Sequence, residues 1–309
     1  MIKERLYIQE SEKEEIYERR ISPPVIDTDK CTGCGECIRV CPLHVFKNHS
    51  EKPQIAYSSA CFACGHCWAV CPTGAITQAE SVTNEDFQQG TKPAVSPDAL
   101  QMLFRERRSI RLFKENHVSK EHLDRIIDAG RYAPTGSNIQ SVNYIVLPTQ
   151  EKIKELRGLI GKFIEKTTKQ LNNRLIAWLY SLKAGRAALH IMRFYCFAYQ
   201  FIKQQEEKNS YIFLPYGSAV ILAHAPSSDI MAEFNCAVAI YNCSLMAHSM
   251  GLGTCFLGFV KTAANMDKKV KQWLNIPKDH VCHGAMVVGY PDIKYHRLVE
   301  RKKPNVQLL

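Results

Sequence analysis

One cysteine spacing, written twice, constrains this chain more than any other feature. The pattern C-x2-C-x2-C-x3-C-P runs through Cys31, Cys34, Cys37, Cys41 and Pro42, and again thirty residues later through Cys61, Cys64, Cys67, Cys71 and Pro72. Three thiolates on one tight loop can grip three corners of an iron–sulfur cube, and the fourth cysteine serves the opposite cube in a two-cluster module. The spacing therefore predicts one [4Fe–4S] cluster on Cys31, Cys34, Cys37 and Cys71, and a second on Cys61, Cys64, Cys67 and Cys41. Gly33, Gly35 and Gly65 leave the loop backbone room to approach inorganic sulfide, and Pro42 and Pro72 turn the chain away. Structural zinc is the competing reading, but zinc takes four ligands from two separated pairs.

These motifs resemble those of bacterial-type 2[4Fe–4S] ferredoxins. The resemblance implies a module that passes single electrons and does not itself transform an organic substrate.

The chain has 309 residues, about two domains at roughly 150 residues each. No run of about 18 apolar residues occurs, and Met1 leads directly into charged sequence, so neither a membrane span nor export is expected. Thirteen cysteines, an odd number, then fit metal binding in a reducing cytoplasm better than disulfides. Residues 1–22 read as a charged lead, 23–80 as the cluster module, 81–95 as a linker without hydrophobic periodicity, and 96–309 as a second domain.

In the second domain Ser96 and Pro97 start a helix with Leu100, Leu103 and Phe104 on one face. A further helix after Ser119 should bury Leu123, Ile126 and Ile127 and stop near Gly130 and Pro134. Residues 144–147, 219–222 and 285–288 read as strands separated by long helical stretches, which makes the fold class α+β. Residues 234–250 are apolar nearly all round, as in a buried central helix at a subunit interface. The net charge of +10 is concentrated in a helical insert, 151–210, with twelve Lys or Arg against five Glu. No nucleic-acid-binding motif accompanies it, so a solvated face or a lid attracting anions is expected, and no nucleic acid partner. Its aromatic residues Trp178, Tyr180, Phe194, Tyr195, Phe197, Tyr199 and Phe201 either pack the inner faces of the helices or cover a flat substrate. The other cysteines, Cys196, Cys236, Cys243, Cys255 and Cys282, sit in apolar sequence and read as small buried hydrophobes.

Four segments carry a second resemblance. Arg107, Arg108, Ser109 and Arg111 supply donors for a phosphate and a ring carbonyl. Residues 133–140 form a small-residue turn with two amides, 251–259 a glycine-rich strand and turn, and Gly289-Tyr290-Pro291 precedes a basic tail. In this order the segments resemble the FMN-dependent nitroreductase family. The resemblance implies that Arg107, Arg108, Ser109 and Arg111 bind the phosphate, ribityl chain and pyrimidine edge of FMN. It further implies that Asn138 and Gln140 contact the flavin, with Pro134, Thr135 and Gly136 lining it. The backbone near Leu257 and Gly258 would meet flavin N5, and Arg301, or else Arg297 or Lys302, would close on the phosphate. The family is a homodimer with FMN at the subunit interface. This chain departs from it at Ser141, where the family often has proline, and at Leu257, where an acidic residue is frequent.

The expectation is an FMN-dependent oxidoreductase that receives single electrons through two [4Fe–4S] clusters from an external donor such as ferredoxin. It would reduce a flat, electron-poor small molecule: a nitroaromatic, a quinone or an activated alkene. An electron-transfer or redox-sensing protein without its own substrate, and other flavin chemistry such as reductive dehalogenation, are the alternatives. No G-x-G-x-x-G turn joins a strand to a helix, so no fixed NAD(P)H site is evident. Catalytic side chains are not identifiable.

Overall fold

The computed structural model describes residues 23–49, 51–77, 95–204, 214, 215 and 217–309. The charged lead, all but the end of the linker, and residues 205–210 of the insert lie outside the described residues. The backbone groups into two units, the second consisting of Val95–Pro134 and Gln140–Leu309, while Thr135–Ile139 belongs with the first.

The first unit repeats itself in backbone as well as in sequence. Strand β1 (Val25–Ile26) pairs antiparallel with β4 (Ile76–Thr77), and β2 (Phe46–His49) with β3 (Lys52–Ile55). Two five-residue helices, α1 (Glu36–Val40) and α2 (His66–Val70), each start after a glycine in the left-handed region, Gly35 and Gly65. Within residues 23–77 the remaining left-handed residues pair in the same way: Gly33 with Ala63, and His44 with Gly74. Left-handed backbone is unfavourable for any residue with a Cβ. Ala63 and His44 therefore hold it because the repeated loop geometry requires it. At Gly33 a side chain would also collide with the Glu51 carbonyl oxygen.

In the second unit β5 (Asn143–Leu147), β6 (Ala219–Pro226), β7 (Gly253–Phe256) and β8 (His280–Gly289) form one antiparallel sheet in the order β5-β6-β8-β7. Strand β6 runs the length of β8 from Ala219 opposite Val288 to Pro226 opposite His280, with a bulge at Ala223/His224. Alternate residues of a strand face opposite sides, and both sides of β6 are covered. Val220 and Leu222 join a core with Ile153, Leu156 and Ile160 of α5 (Gln150–Asn172) and Val260 of α9 (Gly258–Met266). Ala219, Ile221 and Ala223 join another with Leu123 and Ile126 of α4 (Lys120–Arg131) and with Cys236, Ile240 and Cys243 of α8 (Ala232–Ser249). That double burial explains why the strand reads as an unbroken apolar run.

Helix starts follow the expected chemistry. The Ser96 side chain caps α3 (Pro97–Glu106) by accepting from the Ala99 N–H, and Ser119 caps α4 by accepting from His122. Two expectations change. Helix α8 is buried on one side only: Asn235, Ala239 and Ser244 are inside, whereas Phe234 and Tyr241 are exposed, because the sheet and α4 cover just that one side. The aromatic residues of the insert do not pack inward as a group. In α6 (Arg174–Ala184) and α7 (Arg186–Gln204) the inner positions belong to Ala177, Leu189, Met192 and Cys196, with Tyr180 and Tyr199 partly buried. Trp178, Phe194, Phe197 and Phe201 lie on the outside.

Candidate functional site

In the first unit the eight motif cysteines line two cavities. One is lined by Cys61, Cys64 and Cys67 together with Cys41; the other by Cys31, Cys34 and Cys37 together with Cys71. Each cavity takes three thiols from one repeat and one from the other. Backbone N–H groups point at the sulfurs: Val45 donates to Cys41 Sγ (3.4 Å), Ala75 to Cys71 Sγ (3.2 Å) and Ala63 to Cys61 Sγ (3.4 Å). Burial pushes the Cys67 thiol up to about 11, and Cys61, Cys64 and Cys41 add to the rise. Burial likewise raises Cys37, with Cys31 and Cys34 contributing. Such crowded thiols ionise together only around a cationic core, since a metal deprotonates its thiol ligands. Among the described residues no three metal-ligating side chains converge on a single-ion site.

In the second unit α3 ends at Arg107 and the chain becomes extended, so successive side chains alternate in direction. Ser109 bridges Thr254 of β7 in parallel, and the Ile110 N–H donates to the Thr254 carbonyl at 2.9 Å. Glycine at 253 permits that approach, because a Cβ there would lie 2.6 Å from Ile110 Cγ1. The alternation separates the basic residues. Arg107, Ser109 and Arg111 all act on the Cys255 thiol, which burial raises and these three groups lower. Arg108 points elsewhere: its Nη2 donates to the Arg297 carbonyl at 3.0 Å, and its guanidinium lies 5.1 Å from the Tyr295 ring centre. Arg108 and Arg297 line a cleft with Ile110, His248, Leu252 and Tyr295. Arg301 is exposed in the C-terminal tail.

Arg107 carries the test of fit for an anionic cofactor. Its Nε and Nη1 are buried without a hydrogen-bond partner, and its guanidinium lies 6.0 Å from the Tyr241 ring centre. Buried donors left unpaired are costly, and a phosphate or flavin carbonyl would answer these two. Tyr241 and Cys255 are neighbours that sequence reasoning missed; only their place beside Arg107 distinguishes them from other apolar residues of β7 and α8.

Leu257 and Gly258 differ. The Leu257 N–H donates to the Ala285 carbonyl at 2.8 Å and its side chain is buried, so that amide belongs to the sheet. Gly258 is exposed at the first position of α9, with open space where a Cβ would stand. First-turn N–H groups of a helix have no intrahelical acceptor, which leaves Gly258 as the better donor.

The small-residue turn is strained. Ser137, Asn138 and Gln140 have φ of 50°, 52° and 48°, and Gly136–Asn138 forms a 3-10 turn. Clustered left-handed non-glycine residues are typical of functional sites. Asn138 Nδ2 donates to the Ala63 carbonyl at 2.9 Å, and Pro134 and Gln140 are exposed. Ser141 Oγ donates to the buried Asp229 Oδ2 at 2.5 Å, and Asn235 Nδ2 donates to the same oxygen at 3.0 Å.

The cysteines outside the first unit are all buried, and burial pushes Cys236 and Cys243 up to about 12 and Cys282 to about 11. Such thiols are not nucleophiles near neutral pH.

Both parts of the chain match known families. Residues 30–76 match the 4Fe-4S dicluster domain, and 22 residues are 68% identical to Ferredoxin-3 of Desulfocurvibacter africanus, covering 7% of this chain and 36% of that one. FMN reductase (NADPH) of Bacillus subtilis (strain 168) is 27% identical over 187 residues, 60% of this chain, and the match spans 62% of that relative's length. A nitroreductase structure with bound FMN from Bacteroides fragilis covers 68% of this chain and 98% of its own, at 18% identity and a TM-score of 0.49. Residues 104–290 match the Nitroreductase family, and with more than half of its length inside that match the chain belongs to the nitroreductase family, carrying a ferredoxin-type domain ahead of it.

Proposed function

We propose that this protein is an FMN-dependent oxidoreductase, supplied with electrons through two [4Fe–4S] clusters, that reduces a flat, electron-poor small molecule. Nitroaromatics, quinones and activated alkenes fit that description. The observation that carries the reading is the presence in one chain of two four-thiol cavities and two buried Arg107 donors without an acceptor. Cys31, Cys34, Cys37 and Cys71 would hold one cluster and Cys61, Cys64, Cys67 and Cys41 the other. When bound, the clusters supply one-electron transfer and FMN supplies paired-electron reduction.

The chain's own residues bind and orient. Arg107, Ser109 and Arg111 present cationic and hydroxyl donors to the cofactor, and Arg108, Arg297 and Arg301 neutralise its phosphate. Pro134, Thr135, Gly136, Asn138 and Gln140 are the proposed contacts to the ring system. The Gly258 N–H is assigned to the N5 edge, with Leu257 filling the space beneath it. The exposed Phe234 and Tyr241 of α8 suit a homodimer. A reducing cytoplasm is the proposed setting, because it keeps the ligand thiols from pairing as disulfides.

The relatives named for NADPH make direct reduction by NADPH the competing route. Steady-state turnover of a nitroaromatic with reduced ferredoxin, compared with NADPH, tests the proposal. Turnover should depend on ferredoxin and collapse in Cys71→Ser. Turnover supported by NADPH alone and indifferent to that substitution would overturn the electron route.

A further inference from the structure

We propose that α6 and α7 form a docking face for an anionic phospholipid membrane, on which the protein rests without crossing it. Helix α7 is apolar on two sides. Leu189, Met192 and Cys196 are buried on one, while Ile191, Phe194, Phe197 and Phe201 form a stripe on the other, with Phe194 65% and Phe197 68% exposed. Helix α6 repeats the arrangement. Ala177 is buried, whereas Leu175, Trp178, Leu179 and Leu182 follow the i, i+3, i+4, i+7 spacing of one helical face and are each more than half exposed. An apolar surface of this extent marks an interaction site.

Charge identifies the occupant. From Arg174 to Gln204 there is no Asp or Glu, while Arg174, Lys183, Arg186 and Arg193 are all exposed. A two-fold contact between copies would set this surface against itself, cation facing cation with no carboxylate to answer it. An anionic bilayer supplies both complements at once: phosphate headgroups for the Lys and Arg, and acyl chains for the Leu and Phe. Trp178 suits the headgroup level, where tryptophan concentrates. No helix among the described residues is long and apolar enough to cross a membrane, so the pair would lie in the plane of the interface.

The test uses the full-length holoprotein and sedimentation with vesicles of phosphatidylcholine alone or mixed with phosphatidylglycerol. Binding is expected only to the mixed vesicles, with a blue shift of the Trp178 emission identified against Trp178→Phe. Phe194→Asp with Phe197→Asp should abolish sedimentation while leaving the circular dichroism spectrum intact. Lys183→Gln and Arg186→Gln should each weaken binding about five-fold, the effect of one cation near an anionic surface. Absence of sedimentation with either vesicle, or equal sedimentation with both, overturns the proposal. A fall in solution mass of the double Asp variant, without vesicle binding by the unsubstituted protein, also overturns it and assigns the face to a contact between copies.

Discussion

Replacing Arg107 with methionine should make the cofactor-free protein more stable and its FMN complex weaker. The substitution keeps an unbranched apolar stem as far as the Nε position and removes two buried donors, Nε and Nη1, that have no acceptor. Each unsatisfied buried donor costs about 1–3 kcal/mol, and the contact with Tyr241 returns only about 0.5–1 kcal/mol. The net expectation is a gain of about 2 kcal/mol, which at roughly 2–4 °C per kcal/mol raises the unfolding midpoint by roughly 4–8 °C. In the complex the sign reverses. Losing charge-assisted hydrogen bonds, worth about 1.5–3 kcal/mol, weakens binding by about 10- to 100-fold. Thermal unfolding of FMN-stripped protein and quenching of FMN fluorescence measure the two effects separately. Arg107→Lys should recover part of the affinity through charge alone. A destabilised cofactor-free variant with unchanged FMN affinity would refute the reasoning, because Arg107 would then be a structural residue.

Cys71→Ser and Cys41→Ser should each remove one cluster and spare the other, leaving about half of the iron; iron analysis with electron paramagnetic resonance reads both. His224 is pushed down to about 4 by burial, with His280 and Lys271 adding to the fall. The unfolded imidazole, near 6.5, binds its proton first on acidification, so stability should rise by about 3 kcal/mol between about pH 4 and pH 6.5. That stability is lost as pH falls through the same window, and denaturant midpoints against pH should flatten there in His224→Gln. Ser141→Ala removes one of the hydrogen bonds to buried Asp229 and should cost about 1–3 kcal/mol by urea unfolding, since Asn235 and the Met231 N–H remain.

The cysteine module was legible because its chemistry is written at fixed local spacing, and Cys41 and Cys71 fall in the cavities that the repeat assigns them. The strands at 144–147, 219–222 and 285–288 were legible as apolar runs and fall within β5, β6 and β8. What escaped depends on contacts remote in sequence. Ser141 meets Asp229 across 88 residues, and the Leu257 amide is claimed by Ala285 on a neighbouring strand. Arg107, Arg108, Ser109 and Arg111 read as one donor cluster, yet an extended backbone sends alternate side chains to different places. The outward aromatic residues of α6 and α7 escaped for another reason: a helix with two apolar faces reads the same whether one or both are covered.

Because either thiol-lined chamber borrows a wall from the other repeat, the halves of the module are interlocked rather than duplicated. A fragment ending before Cys61 would carry three ligands for one chamber and a single stray ligand for the other. Iron loading should accordingly be all-or-none with respect to chain length, and a truncation that looks tidy in sequence would strand both halves unmetallated.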